Sequence, residues 1–127
     1  IEKLPFMDWR QLPAVIAGLD INLMPLENSL FHWCKSENKW TEAALVKVPS
    51  VMSRNCEMEY VVENGKDGWM CTTKEEWVNA LEALVTDEKA RKAMGEAAHQ
   101  KVMEHYLTVN TGKDAMEELL CSESYTK

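Results

Sequence analysis

The sequence predicts an α/β fold: a doubly wound parallel sheet followed by a helical C-terminal tail. Three observations carry this. Short apolar runs of strand length alternate with segments of helical period over residues 1–72. From residue 73 onward only helical patterns remain. Strands that alternate with helices return to the same end of the sheet, so neighbouring strands run parallel. Residues 1–72 are read as the α/β part and 73–127 as helices packed on it, one domain overall.

The elements follow in order. "IEKLPF" (Ile1 to Phe6) has the composition of a short strand, and Pro5 restricts it to an end or an edge. "WRQLPAVIAGLD" carries Leu12, Val15, Ile16 and Leu19 at helical spacing, with Gly18 suited to its end. "DINLMPL" is a buried strand stopped by Pro25. "ENSLFHWC" has no clean period and reads as a loop. Ser36 is an N-cap for a helix that runs to about Val46, with Trp40, Ala43 and Ala44 facing inward. "SVMS" (Ser50 to Ser53) is a second strand, "EMEYVVENG" a short helix closed by Gly65, and "DGWMCT" a third strand.

The tail begins with a capping box, Thr73 to Glu76, ahead of a stripe of Trp77, Leu81, Leu84 and Val85. Asp87 caps the next helix, with Ala90, Met94, Ala97, Val102 and Tyr106 on one side. A last helix is expected around Met116, Leu119 and Leu120.

Composition narrows the function. With 127 residues and 46% apolar content, the chain can bury a core and is not disordered. Lys and Arg number 14 against 21 Asp and Glu, so the net charge is −7. Such a domain repels nucleic acid and anionic membranes, and no nucleic-acid partner is expected. Any phosphate must meet a local basic spot or a helix start. Cys34, Cys56, Cys71 and Cys121 form no CxxC pair and read as reduced thiols of a cytoplasmic protein. His32, His99 and His105 share no ligand spacing, so no metal is expected. The five tryptophans read mainly as packing, with Trp33, in the loop, a candidate for lining a pocket.

In a parallel sheet ligands bind at the carboxyl ends of the strands. The segment after "DINLMP" lies there, and so does the start of the Ser36 helix. Within "KSENKWTEAA", Lys35, Lys39 and Glu42 share one helix side.

The order "LDINLMPL", "KSENKWTEAA", "VPSVMS" and "EYVVENGKDGW" resembles the C-terminal domain of bacterial GT-B glycosyltransferases, family 4 or group 1 type. The resemblance spans about residues 4 to 107. It implies a partial Rossmann-like sheet that lacks its first strands, in a chain truncated at its N-terminus. It also implies a retaining transferase that takes a sugar from a UDP- or GDP-type nucleotide-sugar. The setting it implies is bacterial surface polysaccharide synthesis, in the cytoplasm or peripheral to the inner face of the membrane.

By the same resemblance Glu42 holds the ribose hydroxyls, while Ser36, Asn38, Lys35 and Lys39 lie on the phosphate side. Cys34 stands where many members carry a glutamate facing the sugar, and Asn55 to Glu57 are outer candidates. The catalytic residues, a basic pair, would lie upstream of Ile1, so the 127 residues alone are expected to be inactive. The glycan or lipid-linked acceptor would bind a missing N-terminal domain. No cofactor is expected, because the nucleotide-sugar is a substrate.

The missing strands would leave the sheet edge at Asp20–Pro25 open, for a second copy or for "IEKLPF" to fill. The alternative to an enzyme is a non-catalytic nucleotide-binding or protein-interaction module on the same Rossmann-like scaffold.

Overall fold

Three apolar runs pair into a parallel sheet in a computed structural model that describes residues 3–113 and 116. Strands β1 (Asn22–Met24), β2 (Ser50–Ser53) and β3 (Trp69–Cys71) stand in the order β1-β2-β3. Asn22 aligns with Ser50, and Val51 with Trp69, so all three strands end on one side. The helices are α1 (Leu12–Ala17, after a 3-10 turn at Trp9–Gln11), α2 (Leu30–Trp33), α3 (Asn38–Leu45), α4 (Cys56–Val61), α5 (Lys74–Thr86) and α6 (Glu88–His105).

The sheet is buried on both faces because successive side chains of a strand point to opposite sides. On β2, Met52 joins Trp40, Met58, Met70 and Val102, while Val51 joins Cys71, Ala80, Leu84 and Met94. Helix α6 contributes to both clusters, through Ala98 and Val102 to one and Met94 to the other. Its Gly95 permits that crossing. A Cβ there would lie 2.1 Å from the Lys47 carbonyl oxygen.

The sequence expectations hold for most elements. Strands β2 and β3 form where expected, and Thr73 and Glu76 make both bonds of the capping box. Asp87 caps α6 by accepting from Lys89 and Ala90 N–H. Trp40, Ala43 and Ala44 are buried.

The departures have physical reasons. Residues 3–8 form no strand, so the described part of "IEKLPF" does not fill the β1 edge. Residues 30–33 make a turn of helix rather than loop, tied down by a Trp33 indole bond to Asn28. Helix α3 begins one residue late, with Glu37 at its N-cap and no side chain capping it. Gly65 (φ 84) sits in the turn after α4, not at its C-cap, which is Val62. Val85 and Ala90 are exposed, and Ala80 and Ala98 take the inward positions instead. Of the expected last helix, residues 108–113 and 116 are helical, while Leu119, Leu120 and Cys121 lie outside the described residues.

Helix α3 ends in a Schellman motif: Val48 N–H bonds the Ala43 carbonyl, and Lys47 N–H the Ala44 carbonyl. The motif needs a left-handed residue, and Lys47 (φ 63) fills a place usually held by glycine. Lys47→Gly is expected to raise stability by about 0.5–1 kcal/mol, net of the extra freedom glycine gains when unfolded. The exposed pair of Lys47 with Glu96 adds little to set against that. Urea denaturation checks it, and a lower midpoint would contradict the reading.

Asp67 is the buried carboxylate of the fold. Its side chain accepts from Lys101 Nζ at 2.6 Å and from Glu63 N–H at 2.8 Å. Its carbonyl accepts the Trp40 indole N–H at 2.9 Å. Asp67→Ala leaves Lys101, 29% exposed, without this partner. The expected loss is about 3 kcal/mol, read from the same denaturation experiment.

Candidate functional site

The carboxyl ends of the three strands open into a cleft of about 360 Å³. Each strand delivers a piece of its wall. After β1 come Leu26, Glu27 and Asn28, then His32 and Trp33 on α2. After β2 come Arg54, Asn55 and Cys56, with Glu59 on α4. After β3 comes Thr72, and Ser53 and Cys71 lie at the strand ends.

Local bonds fix this wall. The Ser53 hydroxyl accepts from Leu26 N–H at 2.8 Å and donates to its carbonyl at 3.1 Å. That pair pins the β1 loop across the end of β2. Asn55 caps α4 by accepting Met58 N–H at 2.8 Å, and its amide reaches the His32 carbonyl at 3.5 Å. Cys56 Sγ lies 3.7 Å from the Trp33 carbonyl. Helices α2 and α4 therefore meet through two neighbouring contacts. His32 Nδ1 is 2.9 Å from Ser29 Oγ. Thr72 N–H donates to Glu76 at 2.6 Å. That bond, with one from Thr73 N–H, holds the Glu76 carboxyl below the usual carboxylate range.

The cleft's charges are few. Arg54 bonds the Glu59 carboxylate at 3.0 Å. Glu27 has no ion-pair partner among the described residues. Burial, then the Glu76 carboxylate, pushes the Cys71 thiol up, so it stays protonated at neutral pH and is a poor nucleophile. Among the described residues no three His, Cys, Asp or Glu side chains gather as metal ligands. The arrangement suits reversible binding of a polar ligand at a sheet end.

The predicted residues fall in two places. Cys34, Lys35 and Ser36 connect α2 to α3, and Asn38 and Lys39 form the first turn of α3; all five are exposed. Lys35 Nζ lies 4.6 Å above the Phe31 ring. The Lys39 carbonyl accepts from the Asn22 side chain at 3.4 Å. Cys34 directly follows Trp33 of the wall, but none of the five lines the cleft, and Lys39 lies against Asn22 at the amino end of β1. Glu42 is apart from the cleft. It sits one turn later, in an apolar groove between α1 and α3 lined by Trp9, Leu12, Pro13, Ile16, Leu45 and Val46.

Trp33 lines the cleft, as the loop position suggested, and so do Asn55 and Cys56 of the outer candidates. Sequence reading passed over Glu27, Arg54 and Thr72. One signal could have found them: each follows a strand closely, at the edge where ligands bind.

Comparison with known proteins bears on the fold and the family. No curated protein matches the sequence. One similar structure is the crystallised C-terminal domain of LpcC, a glycosyl transferase group 1 family protein of Francisella tularensis, at a TM-score of 0.63 and 18% identity. The match covers 83% of this chain and 53% of that one. Another is Anabaena HepE, solved in complex with UDP and glucose, at 0.65 and 17% identity. It covers 84% of this chain and 29% of HepE. This chain thus spans about half the LpcC domain and less than a third of HepE. A family model described as glycosyl transferase-like matches residues 1–117, and this chain belongs to that family, with the fold of a group 1 C-terminal domain.

Proposed function

We propose that this chain is the donor-binding part of a retaining glycosyltransferase. The parent moves a sugar from a UDP- or GDP-type donor to a glycan or lipid-linked acceptor in bacterial surface polysaccharide synthesis. The observation that carries the reading is the start of α3, which no side chain caps and which follows the cleft-lining α2 after a connection at residues 34–37. Free first-turn N–H groups and the helix dipole favour an anion there. Lys35 and Lys39 flank it with positive charge in a chain whose net charge is −7.

The roles then divide. Ser36 and Asn38 present backbone and side-chain donors to the diphosphate. Lys35 and Lys39 neutralise it. The Glu42 carboxylate, an acceptor only, takes the ribose hydroxyls. Cys34 lies between the phosphate side and the cleft. Family membership and the UDP and glucose of HepE support the nucleotide-sugar. Transfer itself would depend on holding the donor and on basic groups supplied by the rest of the parent. Among the described residues no helix is long and apolar enough to cross a membrane. The cytoplasm, or its membrane face, is the proposed setting.

Calorimetric titration with UDP and GDP tests the site. Binding of one nucleotide is expected. Lys39→Ala should weaken it about ten- to a hundredfold, the range for a hydrogen bond to a charged group. Glu42→Ala should weaken a nucleoside diphosphate more than inorganic pyrophosphate, which has no ribose. Binding unchanged in both variants defeats the assignment. Nucleotide binding by a longer parent that transfers no sugar would favour a non-catalytic module.

The β1 edge supports a second proposal. No strand pairs with its outer side among the described residues, and Leu23 is 50% exposed. An open apolar edge recruits another strand. The 127-residue chain is expected to self-associate through Asn22–Met24, as read by light scattering. Leu23→Lys should reduce that association, and a monomer at high concentration would exclude it.

A further inference from the structure

The strand-end cleft has a composition that the start of α3 lacks. It combines an exposed aromatic surface, an unpaired carboxylate and short amides. Trp33 is 48% exposed, and its ring is held by the indole bond to Asn28 at 2.8 Å. Glu27 follows β1 by three residues and has no ion-pair partner among the described residues. The one arginine of the wall, Arg54, is tied to Glu59. The cleft therefore has a net negative lining, although the α3 start is suited to an anion.

We infer that the cleft holds the sugar of the donor, and that this sugar is an uncharged pyranose rather than a uronic acid. The inference rests on the donor-binding reading above and names the substrate class of its sugar end. A pyranose ring has an apolar C–H face and a rim of hydroxyls. The Trp33 face takes the first. The Glu27 carboxylate, which only accepts, takes two neighbouring hydroxyls. Arg54 is not offered to a sugar carboxylate, because Glu59 already occupies it. A carboxylate on the sugar would instead meet Glu27 as a like charge. The cleft, about 360 Å³, lies within the ordinary range for small-ligand sites. Trp33 stands two residues before Lys35, so a sugar in the cleft and a diphosphate at α3 fit one extended ligand.

The test is calorimetric competition on the 127-residue chain, using UDP, UDP-glucose and UDP-glucuronate, or the GDP counterparts if GDP is the nucleotide bound. The hexose donor is expected to bind at least as tightly as the bare nucleotide. The glucuronate should bind about tenfold or more weakly than the hexose donor. Glu27→Gln should narrow that gap by removing the like charge. Trp33→Ala should weaken the hexose donor about tenfold while leaving the bare nucleotide unchanged. Saturation-transfer NMR should show the sugar C–H protons against an aromatic ring in the native protein and not in Trp33→Ala. Nucleotide binding with no difference between hexose and glucuronate overturns this inference and leaves the phosphate site standing. Absence of nucleotide binding overturns both.

Discussion

Asp67 is the point where the layers of this domain are tied together. Its carboxylate is buried between α6 and the turn before β3, and charge there is tolerable only because Lys101 and the Glu63 N–H meet it. Its carbonyl meets the Trp40 indole, which links α3 to the same turn. Trp40 is wholly buried and packs edge-on against Tyr106 at the end of α6. One residue therefore sets the position of α3 relative to β3. The start of α3 and the strand ends are the two halves of the proposed donor site, and the Trp40 contact fixes the first turn of α3 against the turn before β3.

The proposed diphosphate ligand is anionic, whereas this chain is acidic. The bulk charge of the protein works against binding a diphosphate. Local geometry works for it, through an uncapped helix start with two lysines nearby. Several other cations of the domain are occupied: Arg54 by Glu59, Lys101 by Asp67, Lys47 by Glu96 and Lys92 by Glu88. Lys35 lies over the Phe31 ring, which keeps its charge near the helix start without neutralising it.

The sheet edge and the apolar groove near α1 share one origin. On the Val51 face α5 covers β2 and β3 but leaves Leu23 of β1 half exposed, while the opposite face of β1 is buried through Met24. Trp9 and Leu45, also exposed, line the groove beside α3.

The sequence by itself determined which segments could become strands and helices, because those properties are local. The short apolar run at Val51 and Met52, the Thr73–Glu76 capping box and the Asp87 cap are read from neighbours a few residues apart. Helical spacing also put Lys35, Lys39 and Glu42 on one side, and the family resemblance added Ser36 and Asn38 to them. Only the tertiary structure decided that Glu42 lines the α1 groove and that none of the other four lines the strand-end cleft. Nor could spacing reveal that Glu27 and Trp33, after β1, share a wall with Arg54, after β2, because Arg54 lies 21 or more residues further along the chain. Parallel pairing brings those ends together, and it depends on long-range packing that no short window of sequence contains.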